Sequence, residues 1–142
     1  MGRKLRILGL MLWAGFAPLW AQTGGPPREP AEGPFAQIQS ALSSGAVRAL
    51  VTLVKEGVEI AVLEERDLYS RRQAEYVLGA FFQRFPPAGF QFRHRGGADG
   101  SSYGIGVYTY RGPDGRRGQL RVYVLLRMGE RGWEIEELRF ET

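Results

Sequence analysis

Residues 67–87 read DLYSRRQAEYVLGAFFQRFPP. Ala74, Val77, Leu78, Phe81, Phe82 and Phe85 fall at i, i+3, i+4, i+7, i+8 and i+11, one unbroken apolar stripe of an amphipathic helix. Ser70 stands just ahead of the stripe, with Gln73 three residues on. That is a capping box: the serine oxygen accepts from the N–H of Gln73, and Gln73 reaches back to the N–H of Ser70. Pro86-Pro87 stops the helix, because the residue before a proline resists the helical region. Arg71, Arg72, Glu75, Gln83 and Arg84 fall off the stripe and are expected in solvent. Two cations in a first turn oppose the helix dipole, and nothing local explains them.

A face so rich in phenylalanine needs a surface to lie on, and the chain after Pro87 supplies one. The period drops from 3.6 to 2. Phe90, Phe92 and His94 alternate with Gln91, Arg93 and Arg95. Ala98-Asp99-Gly100 turns the chain, residues 103–111 (YGIGVYTYR) form a strand, and Gly112-Pro113-Asp114-Gly115 is hairpin chemistry. Leu120, Val122, Val124 and Leu126 alternate with Arg121, Tyr123, Leu125 and Arg127. After Gly129-Glu130-Arg131-Gly132 comes the strand 133–140 (WEIEELRF). Trp133 and Ile135 have one parity there, Leu138 and Phe140 the other. One bulge near Glu136-Glu137 would bury all four. The C-terminal half is therefore expected to be a four-strand antiparallel meander.

Ahead of the helix, Phe35, Ile38 and Leu42 share a helical face that ends at Ser43-Ser44-Gly45. Val47, Leu50, Val51 and Val54 repeat at helical spacing up to Gly57. Residues 58–64 (VEIAVLE) read as a strand, Glu65-Arg66-Asp67 as a turn and Leu68-Tyr69 as a brief return strand.

The front of the chain has another character. Arg3, Lys4 and Arg6 precede the apolar run 7–19, and Ala21 offers a small residue for cleavage, so residues 1–21 read as a signal peptide. The run is too short for a comfortable membrane span, so no stable span is expected after cleavage. Residues 22–34 (QTGGPPREPAEGP) form a flexible Pro/Gly-rich linker, and 35–142 the domain. The expected destination is the periplasm or the exterior. All fifteen acids lie after the leader and three of the nineteen bases inside it, which leaves sixteen bases against fifteen acids. That near-balance argues against a nucleic-acid partner. The absence of cysteine excludes disulfides, thiolate metal sites, cysteine nucleophiles and a lipoprotein anchor. With one histidine, no metal site is expected, and no cofactor.

Helix, helix, strand, short strand, helix and curved meander is the order of the nuclear transport factor 2-like, or cystatin-like, α+β cone. Tyr69-Ser70 before Gln73-Ala74-Glu75, the Phe81-Phe82 pair, Pro86-Pro87, residues 121–126 (RVYVLL) and 135–139 (IEELR) resemble a family of short exported bacterial proteins of unknown function with that fold. The resemblance covers roughly 35–142. It implies a sheet wrapped around three helices and a cone-shaped interior, in which some relatives act as isomerases or dehydratases and others bind ligands or partners. No catalytic pattern of the enzymatic relatives matches here, so no catalytic role carries over.

A lyase or isomerase in the cone would need a base and a donor. The available polar set is Asp67, His94 and Tyr103; Asp67 has the plainer reading of a turn former and His94 that of a strand-end histidine. On the outer face, Arg121, Tyr123, Leu125 and Arg127 share a parity, and Tyr108 and Tyr110 are expected to join them as a ligand- or partner-binding surface. The plainer alternative pairs Arg121 and Arg127 across strands with Glu134 and Glu136. The first expectation is thus an exported, non-enzymatic binding module. It takes a small apolar ligand in the cone, or a partner across the outer face, including a second copy as a homodimer. The second is a small lyase or isomerase.

Overall fold

The protein, seen in a computed structural model, is described over residues 32–142. Helices α1 (Glu32–Ser44) and α2 (Val47–Val51) come first. Strands β1 (Val54–Val62) and β2 (Glu65–Tyr69), helix α3 (Arg71–Arg84) and strands β3 (Pro87–Ala98), β4 (Ser101–Arg111), β5 (Arg117–Gly129) and β6 (Gly132–Glu141) follow. One sheet holds all six strands in the order β2-β1-β6-β5-β4-β3. Every pairing is antiparallel except β1 with β6. The α+β cone of nuclear transport factor 2-like proteins is the fold. The expected leader and linker lie outside the described residues, except that Glu32–Pro34 form the first turn of α1. A proline is tolerated there because first-turn amides lack intrahelical partners.

Gly45 ends α1 at φ 70°, and the N–H of Ala46 donates to the carbonyl of Ala41 at 2.9 Å. This is the left-handed Schellman stop that favours glycine. α2 is shorter than its apolar spacing suggests. Val54, expected on its last turn, instead opens β1 and is fully buried. The tight turn falls at Leu63-Glu64, where Leu63 has φ 57°, so Glu65-Arg66-Asp67 belong to β2 rather than to a turn. The α3 cap is as the sequence specifies, with Gln73 N to Ser70 Oγ at 3.1 Å and Ser70 N to Gln73 Oε1 at 2.9 Å. Ala74, Leu78, Phe81, Phe82 and Phe85 are buried. The bulge expected near Glu136 is present, since Leu125 pairs with Glu137 and Leu126 with Ile135. Ile135, Leu138 and Phe140 therefore all reach the core, and Trp133 packs at its margin.

Candidate functional site

The cone is filled by its own rings. Phe81 stacks on Phe140 with centroids 3.9 Å apart, and Phe82, Phe85 and Tyr108 close around it. The inner face of β4 consists of Ser102, Gly104, Gly106 and Tyr108, which pair with Leu126, Val124, Val122 and Leu120 of β5. Bulky Ile105 and Val107 look like the inward set, but the strand has the other parity. A Cβ on Gly104 would come within 2.6 Å of the Phe92 ring, and one on Gly106 within 2.6 Å of Phe90. The glycines are where the rings lie.

Tyr108 and Tyr110, expected on the outer face, are thus corrected to the inner one. Tyr108 is fully buried, and its hydroxyl donates to the Phe85 carbonyl at 2.6 Å. Burial pushes that hydroxyl well above the usual phenol range. Tyr110 sits at the margin with its ring 4.9 Å from Phe85. Ser102 is the buried polar residue on this face, and it donates to the Gly96 carbonyl. No carboxylate, histidine or other charged side chain is buried among the described residues.

The polar set proposed for an enzyme does not assemble. Asp67 lies exposed on β2 and accepts from its own neighbour, the N–H of Leu68, at 2.8 Å. His94 lies on β3, the opposite edge, five strand spacings or roughly 24 Å away across the sheet. His94 and Tyr103 do meet, with Nε2 and Oη 3.2 Å apart, but on the outer face.

That outer face carries the clustered chemistry. Across β4 and β5, Tyr103 lies opposite Leu125, Ile105 opposite Tyr123 and Val107 opposite Arg121. The rings of Tyr103 and Tyr123 stack at 6.1 Å. Arg139 of β6 lies 4.7 Å over Tyr123 and is held by Glu137, which raises the guanidinium's pKa further. Partial burial, then the Glu137 carboxylate, push the Tyr123 hydroxyl upward against the pull of Arg139. Arg127 Nε meets Glu136 at 2.6 Å, with Lys55 at 3.5 Å from the same carboxylate. The Arg127 hydrogen bond is the main reason Glu136 sits below the usual carboxylate range. Arg121 has no ion pair among the described residues. The cross-strand pairing expected for Arg127 with Glu136 is made, whereas Glu134 goes to Arg71 at 3.0 Å.

That last contact explains the cation in the first turn of α3. Between Val54 and Glu59, β1 leaves its register with β6. The Arg71 Nε donates to the stranded Val54 carbonyl at 2.9 Å while its other arm takes Glu134. Arg72 remains exposed. Sequence reasoning missed Ile105, Val107 and Arg139 on the outer face. The available signal was the alternation of small residues at 102, 104 and 106, which marks a strand face pressed against rings.

Residues 35–141 match the family described as Domain of unknown function (DUF4783). The chain belongs to this family. Among solved structures, a DUF4783 protein from Bacteroides ovatus superposes with a TM-score of 0.68 at 20% identity, covering 82% of this chain and 97% of that one. One from Bacteroides fragilis gives 0.66 at 24%, covering 75% and 95%. A ketosteroid isomerase-like protein from Erwinia carotovora atroseptica gives 0.63 at 11%, covering 83% and 97%. No curated protein matches by sequence. At these identities the likeness to the DUF4783 neighbours and to the isomerase-like one shows a shared fold alone. No helix among the described residues is long and apolar enough to cross a membrane.

Proposed function

We propose that this DUF4783 protein is an exported, non-enzymatic binding module that docks a protein partner across the outer face of its sheet, the partner being a second copy of the chain. The observation that carries the reading is where the chemistry lies. The cone interior is occupied by phenylalanine, while Tyr103, Ile105, Val107, Tyr123 and Leu125 form a half-buried apolar group outside it. Aromatic and arginine side chains together are the composition of protein interfaces.

The charge layout favours a second copy as the occupant. Strands β1, β2 and β6 carry eight carboxylates against three cations. Strands β3, β4 and β5 carry six arginines and no carboxylate. These are the two halves of one sheet. A two-fold axis lying between two such faces, parallel to the strands, lays the acidic half of one copy over the basic half of the other. The filled cone and the separation of Asp67 from His94 weigh against a ligand or a lyase reaction inside. The leader of residues 1–21 is the support for export. Sedimentation velocity at micromolar concentration tests the reading. A dimer that weakens with salt is expected, shifting to monomer in Tyr123→Ala and Arg121→Ala. A wild type that stays monomeric, or variants that dimerise unchanged, would overturn it.

A further inference from the structure

The apolar group occupies one end of the outer face. The other end is polar and has a cleft of its own, about 340 Å³, lined in part by Gln91 and Arg93 of β3, Thr109 of β4 and Gln119 of β5. We infer that this cleft is a binding site for a small oxyanion-bearing ligand, a phosphate or carboxylate group, held by Arg93, Thr109 and the two glutamines.

The register puts the groups together. Gly89, Thr109 and Gln119 form one row across three strands, and Gln91, Val107 and Arg121 form the next. Beyond them Arg111 lies directly opposite Arg117. Gly89 contributes no side chain, and a Cβ there would meet nothing within 4 Å, so the space before Thr109 stays open. Two irregularities bracket this stretch of β3, between Pro87 and Gly89 and between Phe92 and His94. Arg93 is the extra residue of the second. Bulges re-aim side chains, and this one aims a guanidinium at the cleft.

The electrostatics are one-sided. Arg93 has no carboxylate on its own strand or on β4 or β5. Glu141 lies opposite Arg121 on β6, but its ion pair is with Arg139, at 4.0 Å. Asp114, in the turn between β4 and β5, is held by Arg116 at 3.3 Å. The guanidinium groups of β3, β4 and β5 on this face outnumber the acids beside them and repel one another, and an anion relieves that. Hydroxyl and amide donors beside a guanidinium fork match the oxygens of phosphate and carboxylate. The volume lies at the small end of ligand clefts.

The proposed dimer would lay a partner's acidic strands over this half of the sheet, so the test uses the monomeric Tyr123→Ala protein alongside wild type. Inorganic phosphate is titrated at constant ionic strength set with chloride, with acetate in a parallel arm, and backbone amide shifts are followed by NMR. Saturable shifts centred on Gln91, Arg93, Thr109 and Gln119 are expected. Arg93→Gln should weaken binding roughly tenfold or more, the loss of one charge-assisted bond. Thr109→Val should weaken it with the charge unchanged. Whichever anion binds tighter names the source, and either result supports the site. Shifts that never saturate, that chloride reproduces, or that Arg84→Gln on α3 abolishes equally would overturn it. A wild type that stays monomeric while phosphate still binds would count only against the partner reading.

Discussion

Replacing Gly106 by alanine tests the claim that the cone is closed by rings laid on β4. The added Cβ would lie 2.5 Å from the Gln91 carbonyl oxygen and 2.6 Å from the Phe90 ring. Neither neighbour yields easily. The carbonyl belongs to the β3–β4 ladder, and Phe90 is wedged edge-on against Phe92 at 4.8 Å. Overpacking of this kind costs about 1–3 kcal/mol. Over the described domain of roughly 110 residues, with an unfolding entropy of about 2.1 cal/mol/K per residue, that is a fall in Tm of about 4–13 °C. Gly79→Ala is the matched control, since a Cβ there, on α3, meets nothing within 4 Å. Alanine in a helix interior gains about 0.5–1 kcal/mol over glycine, so Tm should rise by about 2–4 °C. Thermal melts by circular dichroism read both. A Gly106→Ala protein as stable as wild type, or two substitutions moving Tm the same way, would refute the packing argument.

Three further outcomes follow from contacts described above. Tyr108→Phe leaves the buried Phe85 carbonyl without its donor, and the urea midpoint should report a loss of about 1–3 kcal/mol with an unchanged m-value. Arg71→Ala should cost about 1–2 kcal/mol by stranding the Val54 carbonyl and Glu134, while Arg72→Ala should change stability by less than about 0.5 kcal/mol. Glu136 has a lowered folded pKa, so its contribution is complete above the unfolded value of 4.5 and is lost as pH falls through the folded one. Glu136→Gln should flatten that acid limb by about 0.2–1 kcal/mol in denaturant titrations run across it, the range of an exposed ion pair.

The legible parts of the sequence were those fixed by local chemistry. The α3 cap needs only Ser70 and Gln73, and the β6 bulge is forced by two apolar pairs of opposite parity. The face of β4 was not legible, because side-chain bulk normally marks the buried side. Here the rings that fill the interior belong to β3 and α3, and β4 yields space to them with glycine. Val54 misled for a related reason: an i+3 spacing persists for one step when a helix runs straight into a strand. The polar cleft was out of reach altogether. Gln91, Thr109 and Gln119 are ordinary strand residues until the sheet order sets them side by side, and the same order divides the charge into two halves.

The strand that comes last in the described chain lies in the middle of the sheet. β6 is the link between β1 and β5, and its pairing with β1 spans most of the domain's length. Before it is made, the N-terminal hairpin and the β3–β5 ribbon are separate pieces with no edge in common. The sheet is therefore not complete until that long-range pairing is made, a topology of high contact order that slows folding. Under the export proposed above, which would thread the chain through a translocation pore, that order of assembly is protective. The polypeptide stays open for as long as its central strand is missing, and it locks in one step once that strand arrives.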